Sequence, residues 1–178
     1  MLCFGVRQRD RRKQVLTEPR CRHCMSVGGS MMIVPHYYED LDVLHEGTCP
    51  DRAYYIPASR RMDDLVEERE KSDRFQLLNG KWKFRYFESI YDLKESFYRE
   101  DYGAEDFEVV QVPGVWQNYG YDRYQYTNIR YPFAADPPYV PQENPCGAYI
   151  RRFQYQKDVN APRAFLEFEG VDSCFYVW

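Results

Sequence analysis

From Lys81 to Arg85 the chain alternates cations with aromatics: Trp82, Phe84 and Tyr86 fall on one side, Lys81, Lys83 and Arg85 on the other. A period of two predicts a strand with an aromatic face. The turn pair Asn79–Gly80 introduces it, after Phe75, Leu77 and Leu78. Phe107 to Val112 predicts a second strand, stopped by Pro113–Gly114, and Gly147 to Tyr155 a third. Ala164–Glu169 and Ser173–Trp178 predict two more on either side of Gly170–Val171–Asp172, after a turn at residues 161–163. Ser89 predicts the N-cap of a short helix, because Ile90, Leu93 and Phe97 recur at helical spacing behind it. Short strands outnumbering one short helix predict an all-β antiparallel sandwich over residues 74–178.

Two stretches lack such periods. Residues 31–73 hold Pro35, Pro50 and Pro57 and predict an irregular arm, with a short surface helix or loop from Arg60 to Lys71. Tyr37, Tyr38, Tyr54, Tyr55 and Ile56 are too apolar to be left in water as one patch, so the arm is expected to lie over something larger. Residues 113–146 carry six prolines and are dense in Tyr, Asn and Gln. A loop that long is functional or disordered. Its aromatic content, Trp116, Tyr119, Tyr121, Tyr124, Tyr126, Tyr131, Phe133 and Tyr139, predicts an ordered loop presented for contact.

Composition narrows the class. With 178 residues, 44% hydrophobic and 17% aromatic, the chain predicts one domain with a sizeable core. Its longest apolar runs are too short to span a bilayer, so no membrane partner is expected. A net charge of −4 gives no global reason to expect nucleic acid. That charge is uneven, however: residues 1–30 carry +5 and the remainder −9. The basic head lacks a signal peptide's apolar segment, and Met31 and Met32 follow it closely. Residues 1–30 are therefore expected to be a non-native or disordered leader. Within it, Cys21, His23 and Cys24 suggest zinc, but a structural zinc site needs four ligands and no second pair exists. Cys49, Cys146 and Cys174 show no framework spacing, so free thiols and a cytoplasmic location are expected.

Several strings then take on meaning together. They are Leu78-Asn79-Gly80-Lys81-Trp82-Lys83-Phe84, Val112-Pro113-Gly114-Val115-Trp116-Gln117, Tyr126-Thr127-Asn128-Ile129-Arg130-Tyr131-Pro132, Pro137-Pro138-Tyr139-Val140-Pro141 and Phe168-Glu169-Gly170-Val171. In this order, over roughly residues 49–178, they resemble the amino-terminal domain of bacterial LacZ-type β-galactosidases in glycoside hydrolase family 2. The first and last strings are common to that family, β-glucuronidases and β-mannosidases included. The Y-T-N and P-P-Y-V-P strings resemble the β-galactosidase branch specifically.

The resemblance implies a galactose-binding-like jelly roll, here truncated before its last strands, at the head of a much larger enzyme. A (β/α)8 barrel downstream would supply both catalytic glutamates, beyond Trp178, for retaining hydrolysis of terminal non-reducing β-D-galactose. Magnesium and sodium are implied for that parent and none for the fragment alone. Its implied partners are a β-galactoside sugar, the enzyme's remaining domains and further copies in a homo-oligomer. The alternatives are a stand-alone carbohydrate-binding module or another family 2 glycosidase.

Within the fragment, Asp122, Asp136, Glu143, Glu169 and Asp172 could serve acid/base chemistry, but nothing in their spacing pairs two of them. Solvated or turn-capping carboxylates are the expectation. His36 and His45 lack a nucleophile motif nearby, and Trp116 suits a core anchor better than a sugar platform. Asn128 is the one substrate-binding candidate. Its amide can donate to one sugar hydroxyl while accepting from another, and the resemblance places the Asn of the Y-T-N string in the galactose pocket. An Asx turn is the local alternative.

Overall fold

The computed structural model describes residues 2–8, 33–124, 131 and 133–178, with the backbone alone over 2–8. The strands are β1 (Leu2–Gln8), β2 (Gly80–Phe87), β3 (Glu108–Val112), β4 (Cys146–Phe153) and β5 (Phe175–Val177), in one sheet of order β3-β2-β4-β1-β5. No α-helix occurs among the described residues, so the fold is all-β.

The antiparallel half follows from the sequence pattern. Trp82 faces Val110 across β2 and β3, and Phe84 lies between Glu108 on β3 and Tyr149 on β4. Alternation then sorts the side chains. Trp82, Phe84, Val110 and Tyr149 build one buried cluster, which Leu78, Trp116, Tyr121, Phe168 and Val171 cover. Cys146, Ala148 and Ile150 point the opposite way, into a second cluster with Val34, Ile90, Leu93, Phe97 and Phe107. Fully burying a ring such as Phe84 is worth about 1.5–3 kcal/mol. Among the described residues, loops and arm rather than a second sheet cover both faces.

Three elements differ from the sequence expectation. The helix behind Ser89 is one 3-10 turn, Ile90–Asp92, whose cap is the Ser89 hydroxyl accepting from the Tyr91 amide. Ile90 donates to the Asn144 carbonyl, and Leu93 has left helical geometry. Leu93 and Phe97 are buried all the same, because short isolated helices are marginal and burial on the sheet decides the path. Residues 164–169 are not a ladder strand, and of 173–178 only Phe175–Val177 pairs.

The third difference concerns β1. Residues 2–8 form a strand where an unstructured leader is expected, and it runs parallel to both β4 and β5, from Leu2 opposite Gly147 to Gln8 opposite Phe153. Leu2, Phe4 and Val6 alternate, which is a strand signal hidden when charge is averaged over the basic head. The sheet is therefore mixed, not wholly antiparallel. Residues 9–30, with Cys21, His23 and Cys24, lie outside the described residues.

Candidate functional site

The Tyr-rich loop leaves the sheet at Val112 and is fastened at once. Its first turn, Trp116–Tyr119, ends at Gly120, whose φ of +85° is a left-handed cap. Trp116 settles on the aromatic face, its ring centroid 6.4 Å from Phe84 and 5.5 Å from Tyr86. The space it occupies exists because residue 147 is glycine. A Cβ there would stand 2.7 Å from Phe84 Cε2 and 2.9 Å from Trp116 Cζ3. Tyr121 completes the floor, stacked on Tyr86 at 5.1 Å and edge-on to Phe84 at 5.3 Å. Trp116 is thus a half-buried anchor, and its indole N–H is buried with no acceptor among the described residues.

Hydrogen bonds hold the rest of this approach. Tyr119 Oη accepts from the Gln111 amide at 2.6 Å, and Tyr124 Oη donates to Asn118 Oδ1 at 2.5 Å. Burial, reinforced by Glu108, pushes the Tyr121 phenol up to about 12, and burial, reinforced by Tyr119, does the same for Tyr149. Both stay neutral at physiological pH, as packing and hydrogen bonding require. Farther along, Tyr124, Tyr131, Phe133 and Tyr139 are exposed, so the loop presents rings outward on both flanks of residues 125–130. Asn128 lies within 125–130, outside the described residues.

The remaining candidates stay apart. Asp122 is exposed in left-handed backbone, and Asp136 closes a turn with its carbonyl accepting from the Tyr139 amide. Glu143 and Asp172 are exposed. Glu169 is engaged by Arg69 and Tyr54. His36 pairs with Glu39 at 3.3 Å and packs on Tyr38, while His45 is exposed. No hydrogen bond or ion pair among the described residues joins two candidate carboxylates. Nor do three or more His, Cys, Asp or Glu side chains gather there as metal ligands. The described residues pack these rings against one another and bring together no carboxyl pair for glycoside hydrolysis.

The family model described as glycosyl hydrolases family 2, sugar binding domain, matches residues 75–178. The chain belongs to this family. Its similarity to curated proteins is broader than the domain. It is 46% identical over 147 residues to a beta-galactosidase of Actinobacillus pleuropneumoniae, 83% of this chain and 14% of that protein. A beta-galactosidase of Staphylococcus xylosus is 41% identical over 148 residues, and one of Priestia megaterium 30% over 149. The chain spans about 14% of the length of these relatives.

Two determinants of this sugar-binding domain escape residue-level reading. Gly147 carries a signal in principle, since a glycine inside a strand often marks close approach by another group. The role of Tyr121 has no local signal, because only the fold brings it back over Tyr86. No helix among the described residues is long and apolar enough to cross a membrane.

Proposed function

We propose that this chain is the sugar-binding domain of a cytoplasmic, homo-oligomeric β-galactosidase that hydrolyses terminal non-reducing β-D-galactose residues with retention. The observation that carries the reading is 46% identity, over 83% of the chain, to a protein named beta-galactosidase. The narrow Y-T-N and P-P-Y-V-P strings favour a galactoside over a glucuronide or mannoside.

In this reading the chain contributes binding, not bond cleavage. Retaining hydrolysis needs two carboxyls about 5 Å apart flanking the anomeric carbon, one as nucleophile and one as acid/base. That pair belongs to the part of the parent this chain does not span, as do most of the magnesium and sodium ligands. Trp116 and Tyr121 fix the start of the loop on the sheet. Asn128 reaches a sugar hydroxyl, donating through its amide and accepting through its carbonyl.

The test is Asn128→Ala in the full-length parent. One or two lost sugar hydrogen bonds cost about 1–3 kcal/mol, more if a hydroxyl is left buried and unpaired. Where those bonds tighten at the oxocarbenium-like transition state, kcat falls as KM rises. A turn-forming Asn instead lowers Tm and leaves kinetics per folded molecule near normal. Unchanged kcat/KM removes Asn128 from the site. The 178-residue chain alone is expected to show no turnover of a chromogenic galactoside, and turnover by it would overturn the division of labour.

A further inference from the structure

The arm is held by polar contacts rather than by buried side chains. Between Cys49 and Lys71 no side chain is buried; Ile56, Ala58, Met62 and Leu65 are only half-covered. Its one firm end is Ser72, buried, whose hydroxyl donates to the Pro57 carbonyl at 2.5 Å. What ties the arm to the body is a set of arginines, each on its own carboxylate of residues 158–169. Arg52 reaches Glu167 at 3.3 Å, Arg69 reaches Glu169, and Arg74 reaches Asp158 at 2.5 Å.

The receiving side is ordered to match. Phe165, Glu167 and Glu169 occupy every second position of the segment, while Phe168 between them packs into the aromatic cluster on the sheet. The Arg52 guanidinium lies 5.2 Å from the Phe165 ring centroid and 4.7 Å from that of Tyr55, with Glu167 accepting its hydrogen bond. A flat cation between two rings with a carboxylate beside it is a recognition arrangement that suits arginine over lysine. One step along, Arg69 donates to both Glu169 and Tyr54 Oη, and Tyr54 Oη donates to the same Glu169 oxygen at 3.0 Å.

We propose that Phe165, Glu167 and Glu169 form an arginine-reading strip whose ligand is the chain's own arm, through Arg52 and Arg69. The arm is thereby a strap, released by salt as a unit while the sheet stays folded. Solvent-exposed ion pairs are screened within a few ångströms at high ionic strength, whereas the buried clusters under β2 and β4 are insensitive to it.

Hydrogen exchange on the 178-residue chain tests this. Raising NaCl from about 50 mM to about 500 mM should accelerate exchange of amides 51–71 by about threefold or more. Amides of 80–87 and 146–153 should be unmoved. Glu169→Gln should give the same acceleration at low salt, and the exchanged pair Arg69→Glu with Glu169→Arg should restore protection. The proposal is overturned by arm exchange indifferent to salt, or by a Glu169→Gln chain that matches wild type. It is equally overturned if the exchanged pair fails to restore protection, or if arm and sheet open together, which would make the arm part of the global fold.

Discussion

Gly147 is where a single missing methyl group decides the geometry beside the loop. Trp116 and Phe84 both crowd the position a Cβ would take, and neither is the free end of a flexible side chain. Gly147→Ala should therefore destabilise the domain by about 1–3 kcal/mol, the usual cost of overpacking, seen as a lower Tm. Combining it with Trp116→Ala should cost less than the sum of the two, because the smaller residue removes half of the clash. Strict additivity, or a neutral Gly147→Ala, would mean that the indole does not rest on this glycine. The residue scale also shows what the sequence makes legible. Trp82 and Phe84 announce their buried face by alternation, and Trp116 by its place at a strand end. Asn128 is legible only through resemblance, since an amide in a polar loop fits an Asx turn as well as a sugar.

At the scale of elements, β2, β3 and β4 are readable because local alternation and tertiary burial agree. The segment after Ser89 is not, because Ile90, Leu93 and Phe97 satisfy a helical spacing and an irregular path over the sheet equally well. The arm's pairing with residues 158–169 is invisible to any local window: Arg69 and Glu169 are 100 residues apart. Two outcomes follow for these elements. Among the described residues β5 joins the ladder only through β1, with Phe4 paired to both Tyr149 and Val177. Phe4→Pro removes a ladder donor in an interior strand, so amides 175–177 should lose protection while β2, β3 and β4 keep theirs. Trp178, stacked on Tyr98 at 4.9 Å, should stay in place. Retained protection at 175–177 would show that β1 is not what holds β5.

The arm's second outcome concerns acid. Arg69 and then Tyr54 hold the Glu169 carboxyl below its usual range, and the Asn160 amide and then Arg74 do the same for Asp158 against partial burial and the nearby Asp73. Depressed folded values mean stabilisation that is complete above the unfolded carboxylate pKa, near 4, and lost as pH falls through the folded value. After correction for intrinsic exchange, protection of amides 51–71 should hold at about pH 6 and fall by about pH 3, ahead of the sheet. Loss of arm protection on raising pH instead would contradict the sign of both shifts.

For the whole molecule, the question is what the outward rings of the loop are for. The two clusters account for the sheet faces, yet Tyr124, Tyr131, Phe133 and Tyr139 remain in solvent within sixteen residues of chain. Single exposed apolar side chains are ordinary, but several along one loop mark a surface meant to be covered. In the proposed enzyme the cover is its remaining polypeptide, and the chain on its own should self-associate through these rings. Sedimentation velocity on the 178-residue chain should show concentration-dependent growth at micromolar protein. Replacing Tyr131 and Phe133 with serine should suppress that growth without lowering Tm, because neither ring belongs to a buried cluster. If the serine variant associates as strongly as the parent chain, the rings are not the adhesive. If its Tm falls, they are packed rather than presented, and the loop is part of the core.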